Sequence, residues 1–241
     1  MSEKTLASSK WKQYCYGVKR ALPVILGFVP VAITFAILAT EASMTRGETV
    51  AMSMAVFAGA SQIMAVDMLA SGLWSVVLAT LVLNLRHIMM STCVFRRMHS
   101  AKLWQKIIAS FGVTDESFAL FTSEENESVC TPWFMFGIIT VTYSSWVGGT
   151  ILGVFLTVLL PEVVKNSFGI ALSALFLALL VPDLKKSGKL LLTVLLTAGL
   201  NYGLVFLFGS DSGLPVIGST LLGAALGSLW MTPKKEKEGT K

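Results

Sequence analysis

The sequence predicts an all-α polytopic membrane protein, and three observations carry that prediction. Of its 241 residues, 54% are hydrophobic and 14% charged, whereas a soluble domain carries about 25% charged residues. Mean hydropathy is +0.71. The apolar residues gather in continuous blocks near the ~20 residues that cross a bilayer, not in the short alternating segments of a membrane barrel.

In chain order the blocks are 21–40, 49–70, 73–95, 133–160, 167–181, 190–208 and 214–231. A further stretch, 107–122, is short and carries Asp115 and Glu116 side by side. Together these predict about seven or eight membrane-embedded helices, some of them broken or re-entrant. Residues 1–20 read as a basic cytoplasmic N-terminus, 21–231 as the transmembrane domain and 232–241 as a charged cytoplasmic tail. The start does not read as a cleavable signal peptide, because its basic stretch is long and the next block is span-length. In the first block Pro23 and Pro30 flank Gly27, and Pro30 removes a backbone donor deep in the helix. Gly149–Gly153, Gly199–Gly203 and Gly223–Gly227 each form a small-xxx-small pattern, which lets helix backbones approach closely.

The net charge is +5, and the basic residues cluster. Lys4, Lys10, Lys12, Lys19 and Arg20 precede the first block; Arg96, Arg97, Lys102 and Lys106 follow the third; Lys185, Lys186 and Lys189 and then Lys234, Lys235, Lys237 and Lys241 come later. Such clusters stay on the cytoplasmic side, and with no basic folded domain beside them they do not suggest nucleic acid as a partner. Three full crossings before Arg96 would put that cluster outside, against the rule. The conflict disappears if block 49–70 enters and leaves on one side; otherwise the cluster is an exception to the rule. Phe57-Ala58-Gly59-Ala60-Ser61-Gln62, small and polar in mid-block, has the composition of a broken helix. Phe111-Gly112-Val113-Thr114-Asp115-Glu116 is a faint parallel to it. Two interrupted helices from related halves are a transporter pattern, and the pair suggests an inverted repeat. If both are re-entrant, six full spans remain and every basic cluster falls inside.

Ionisable residues within or beside apolar stretches are Asp67, Arg86, His87, Asp115 and Glu116. An arginine at mid-membrane costs ~2.5–3.5 kcal/mol on insertion scales, so Arg86 needs a counter-charge, a wet cavity or a route to the surface. Asp115 or Glu116 is the economical partner. Adjacent helical residues point about 100° apart, so one of the two faces Arg86 and the other a second group. His87 titrates near neutrality and beside a carboxylate could relay a proton. A structural ion pair and a direct role in transport both remain open, and Arg86 could also snorkel toward the cytoplasmic face. Ser61 and Gln62 could bond neighbouring helices or present backbone groups to a zwitterion. Trp133, Tyr143 and Trp146 read as an interface belt or packing. Cys15, Cys93 and Cys130 are too scattered for a disulfide framework or a metal site. No zinc-protease, nucleophile-elbow or Walker motif is present, so neither an enzyme nor a cofactor is expected, and uphill transport would need ion coupling or another subunit.

The chain resembles the AzlC family (YgaZ-like), the large subunit of two-component branched-chain amino-acid exporters. The resemblance rests on Leu22-Pro23 with Gly27-Phe28-Val29-Pro30-Val31-Ala32, on Phe57–Gln62 against a "GASQ" signature, on Asn84-Leu85-Arg86-His87 and on Thr114-Asp115-Glu116-Ser117-Phe118-Ala119. It covers about residues 18–160 and continues loosely through Ser145-Trp146-Val147-Gly148-Gly149-Thr150. This chain departs from it at Met90, where the family often carries tyrosine, and so offers no hydroxyl there. The resemblance implies export of branched-chain or similar apolar amino acids across a bacterial inner membrane, with a small AzlD-like membrane subunit as partner. With His87, Asp115 and Glu116 available, protons are the expected coupling ion. The expected substrate-binding or coupling residues are Gly59, Ser61, Gln62, Asn84, Arg86, His87, Asp115 and Glu116. A non-transporting scaffold subunit of a transport complex is the alternative.

Overall fold

The computed structural model describes residues 9–98, 101–157, 187–209 and 214–230, with a few single positions between 159 and 185. The block expected at 167–181 lies almost wholly outside the described residues, as does the tail 232–241. Every described secondary-structure element is helical. They are α1 (Lys10–Ala21), α2 (Ile25–Glu41), α3 (Arg46–Ala55), α4 (Gly59–Asp67), α5 (Leu73–Arg97), α6 (Leu103–Phe111), α7 (Asp115–Thr122), α8 (Pro132–Leu156), α9 (Gly188–Phe208) and α10 (Leu214–Trp230). One 3-10 turn, Leu22–Val24, joins α1 to α2, so the first rod begins at Lys10, inside the stretch read as a basic N-terminus. Among the described residues four stretches are long and apolar enough to cross a membrane: Lys10–Glu41, Leu73–Arg97, Pro132–Leu156 and Gly188–Phe208. The chain is thus an all-helical polytopic membrane protein.

The first and third of these spans lie parallel and form the spine. Gly17 packs on the backbone at Phe134 and Gly137, and Gly137 on the backbone at Tyr14. Further along, an ideal Cβ on Gly149 would come within 2.8 Å of the Ala32 Cβ, and one on Gly153 within 2.7 Å of the Ala36 Cβ. Residue numbers rise together along both rods, which makes them parallel. In lipid, helices associate through such close packing, since the tails are as apolar as the side chains.

α8 serves as a ruler for everything between the two rods. α3 starts at its far end, where Arg46, Val50 and Ala51 share a groove with Ile151, Val154 and Phe155. α3 then descends: the Ser53 hydroxyl lies 2.8 Å from that of Thr150, and Tyr143 donates to the Met54 carbonyl at 2.9 Å. There the helix stops. Val56 is extended, with φ −120° and ψ 98°, and α4 restarts at Gly59 against Trp146. α5 shows which way α4 leaves. Ser61 meets Asn84 of α5, and α5 ends at Arg97, whose guanidinium binds the Thr122 and Glu124 carbonyls at 2.6 and 2.7 Å. Glu124 in turn accepts from Tyr16 at 3.1 Å and lies 3.8 Å from Arg20. From Asn84 to Arg97 is about 20 Å at 1.5 Å per residue, and Leu73 lies about 16 Å the other way. α5 therefore starts at the far end, and α3–α4 is a hairpin that enters and leaves there.

α6 and α7 mirror it from the opposite end. Trp104 stacks near Phe136 at 5.9 Å, Gly112 packs on Ile139, and Phe111 lies 5.9 Å from Tyr143. The helix breaks over 112–114, and α7 returns to place Phe121 beside Phe134, with ring centroids 5.7 Å apart. The Arg96–Lys106 cluster thus shares an end with Lys19 and Arg20, which removes the topological conflict posed by three full crossings.

Two buried cores follow this division. One holds Met90, Val94, Met98, Phe121, Phe134 and Ile138 near the Arg97 end. The other gathers Phe28, Phe35, Phe57 and Trp146 around the helix breaks. α9 and α10 form an antiparallel pair in which Gly223 packs on Thr197 and Asn201 donates to Ser219 at 3.1 Å. The expected packing role does not extend to Gly199 and Gly203: among the described residues no atom lies within 4 Å of a Cβ built on either.

Candidate functional site

Both helix breaks reach the middle of the molecule, where Phe57 and Phe111 lie 6.4 Å apart. Between them is a cavity with about 50 Å³ open to the centres of water molecules, several times what one ordered water needs. Its lining comes from five places: Phe28 and Val31 of α2, Phe57 to Ala60 at the first break, Arg86 and His87 of α5, Thr114 to Glu116 at the second break, and Trp146 of α8 as a wall.

The two breaks present their helix starts differently. α4 begins after Ala58, which supplies no side-chain cap, and its first residues, Gly59 and Ala60, line the cavity. An uncapped helix start favours an anion through its first N–H groups and the helix dipole. α7 is capped by Thr114, whose hydroxyl accepts from the Ser117 amide at 3.3 Å, while Ser117 Oγ accepts from the Thr114 amide at 2.8 Å. Capping therefore falls to Thr114 and Ser117, and Asp115 and Glu116 take the first helical positions, where negative charge is favoured.

Arg86 Nη1 lies 2.8 Å from Asp115 Oδ2. The side chains of the pair are 37% and 33% exposed, so the ion pair faces the cavity and is not sealed in the core. Glu116 lines the same cavity without a salt bridge to Arg86. The alternative in which Arg86 snorkels to the cytoplasmic face is not the geometry observed. Arg86 Nε and His87 Nδ1 are buried without hydrogen-bond partners, as is Nε2 of the fully buried Gln62. Unpartnered buried polar atoms of this kind are rare in folded proteins and ask for an explanation.

Of the residues singled out from sequence, Gly59, Arg86, His87, Asp115 and Glu116 line the cavity. Ser61, Gln62 and Asn84 stand behind it. Ser61 donates to Asn84 Oδ1 at 2.7 Å, and Gln62 Oε1 accepts from Trp146 Nε1 at 3.0 Å. Trp146 is 4% exposed and forms the cavity wall, so it does not belong to an interface belt. Trp133 does sit at an end, with Lys10 over its ring at 5.6 Å. Phe28, Val31 and Trp146 also line the cavity, and all three lie in the motifs that carry the family likeness. Glu124, just past the end of α7, contacts Tyr16 and Arg20 of α1 across a separation that no sequence pattern signals.

Comparison with known proteins identifies the family. The family model described as "AzlC protein" matches residues 23–160, more than half of the chain and every element that lines the cavity. The chain belongs to the AzlC family. It is 37% identical over 180 residues to an uncharacterized membrane protein of Archaeoglobus fulgidus, covering 73% of this chain and 78% of that one. It is 32% identical over 197 residues to the inner membrane protein YgaZ of Escherichia coli, covering 76% of this chain and 78% of YgaZ. To the branched-chain amino acid transport protein AzlC of Bacillus subtilis it is 24% identical over 209 residues, covering 85% and 80%. No solved structure matches the chain. Membership places this AzlC-family protein in the membrane and in a family with a transport protein among its members.

Proposed function

We propose that this protein is the large subunit of a secondary exporter that moves branched-chain or similar apolar amino acids out of the cell. The observation that carries the reading is the cavity itself: two helix breaks from opposite ends meet around a place with a cationic side, an anionic side and an aromatic wall. Such midplane sites, with half-helix starts aimed at the substrate, are how many secondary transporters hold small solutes. An amino-acid zwitterion needs all three surfaces. Its carboxylate fits the uncapped start of α4 at Gly59 together with Arg86. Its ammonium fits Glu116 and the free oxygen of Asp115. Its side chain fits Phe28, Val31, Phe57 and Trp146. The name of the Bacillus subtilis relative supports the substrate class.

Ser61, Gln62 and Asn84 hold the α4 start and Trp146 in place from behind. Arg86 braces α5 against α7 as much as it meets substrate. Glu116 and His87 are the titratable groups on the cavity wall outside the Arg86–Asp115 pair, and we assign them the proton that couples export to the gradient. The basic clusters at the Arg20 and Arg97 end support a cytoplasmic position for that end and for both termini. A small hydrophobic AzlD-like membrane subunit is the proposed partner.

The test is efflux. Cells fed leucine-, isoleucine- or valine-containing dipeptides should accumulate more of the free amino acid when this gene is deleted, and a proton uncoupler should abolish the difference. Equal accumulation with the small subunit present would overturn the reading. Labelled valine bound by the purified large subunit would exclude the scaffold alternative.

A further inference from the structure

We propose that Trp146 is the residue that sets the size of the side chain this protein accepts, and that Gln62 and Gly59 hold it in register for that purpose. The inference rests on the export reading above and deepens it. Trp146 is held from three directions. Its indole Nε1 donates to Gln62 Oε1 at 3.0 Å. Its ring meets Phe28 edge-on, with centroids 5.7 Å apart. The third contact is the Gly59 backbone, so close that a Cβ there would collide with the ring carbons.

None of this geometry is needed merely to pack α8. A plain apolar core would not require a fully buried glutamine whose Nε2 has no partner. Burying an amide with one end unsatisfied costs about 1–3 kcal/mol. What the glutamine provides is a fixed acceptor that stops the indole from turning. Gly59 adds the second stop, and it is also the first residue of the uncapped helix start. The residue that admits the indole therefore stands where the substrate carboxylate is expected. The distance between the carboxylate seat and the wall is then set by a single contact, Gly59 on Trp146. With the carboxylate seated at Gly59, only a side chain that ends short of the indole fits.

The prediction is a change of selectivity with opposite signs. Trp146→Ala and Trp146→Phe open the wall, and the ratio of phenylalanine to leucine efflux should rise by roughly tenfold or more for the alanine variant, the scale of pocket-size discrimination. Gly59→Ala drives the indole into the cavity, since Gln62 and Phe28 block its other exits, and should reduce leucine efflux more than alanine efflux. Gln62→Leu frees the indole and should flatten the ratio, whereas Gln62→Glu keeps an acceptor oxygen and should preserve it.

Each ratio is taken within one variant, at measured membrane abundance and with the small subunit present, so expression cancels. If Trp146→Ala is missing from the membrane, Trp146→Phe and Gly59→Ala decide. Wild-type leucine efflux with ratios unmoved in every variant would overturn the role of Trp146 alone. Absence of wild-type efflux of any apolar amino acid would overturn the export reading, and this proposal with it.

Discussion

Arg86 and Asp115 illustrate what a charge costs where water is scarce. An arginine at the centre of a span costs ~2.5–3.5 kcal/mol unless something answers it, and here the carboxylate answers at 2.8 Å. Because the side chains of the pair are about a third exposed, solvent screens part of its attraction. Its value lies in fixing α5 against α7 more than in raw stability. Replacing either partner by alanine leaves the other unanswered. Arg86→Ala and Asp115→Ala should each reduce leucine efflux by at least about tenfold, a loss of ~1.4 kcal/mol or more, at unchanged membrane abundance. Normal efflux from both single variants would remove the pair from the mechanism. The need for a partner was legible in Arg86 itself. The choice of Asp115 over Glu116 was not, because it depends on Thr114 and Ser117 taking over the capping of α7.

At the scale of elements, glycines decide which helices touch. Gly17 and Gly137 bring the backbones of α1 and α8 into contact, so no side chain can be inserted there without separating them. Gly17→Leu and Gly137→Leu should each leave little folded protein in the membrane, read by detergent-stable monomer on fluorescence-detected gel filtration. Gly47→Leu, whose Cβ meets nothing within 4 Å, should behave as wild type. The cap on α7 is a smaller effect. Thr114→Ala should cost about 1 kcal/mol and lower the melting temperature of the purified protein, while Thr114→Ser should restore it. The positions of both breaks were visible as small and polar residues in mid-block. The packing partners were not: Gly149–Gly153 and Gly199–Gly203 read alike in sequence, yet only the first pair lies against a helix among the described residues.

Considered as a whole molecule, the fold carries two hairpins that reach the centre from opposite ends. Spine helices stand behind them, and the Arg97–Glu124–Arg20 contacts tie α5 to α1 at one end. The hairpins give the topology a sharp test. In a background lacking Cys15, Cys93 and Cys130, Gly47→Cys should react with an impermeant maleimide added to intact cells. Lys102→Cys should react only after the cells are opened. Labelling of both from outside would mean that α3–α4 crosses fully and that the Arg96–Lys106 cluster is extracellular.

Composition and block length alone determined that this chain lives in a membrane as helices, because the cost of burying unpaired backbone in lipid leaves few other choices. The motifs around Gly59, Arg86 and Asp115 likewise marked where polarity interrupts the spans, since charge and small polar residues are costly there and so stand out. Only the tertiary structure decided that the two interruptions face one another, that α4 turns back instead of crossing, and that Trp146 closes the space between them. Those outcomes depend on contacts such as Ser61 with Asn84 and Gln62 with Trp146, between residues whose distance along the chain carries no information about their distance in space.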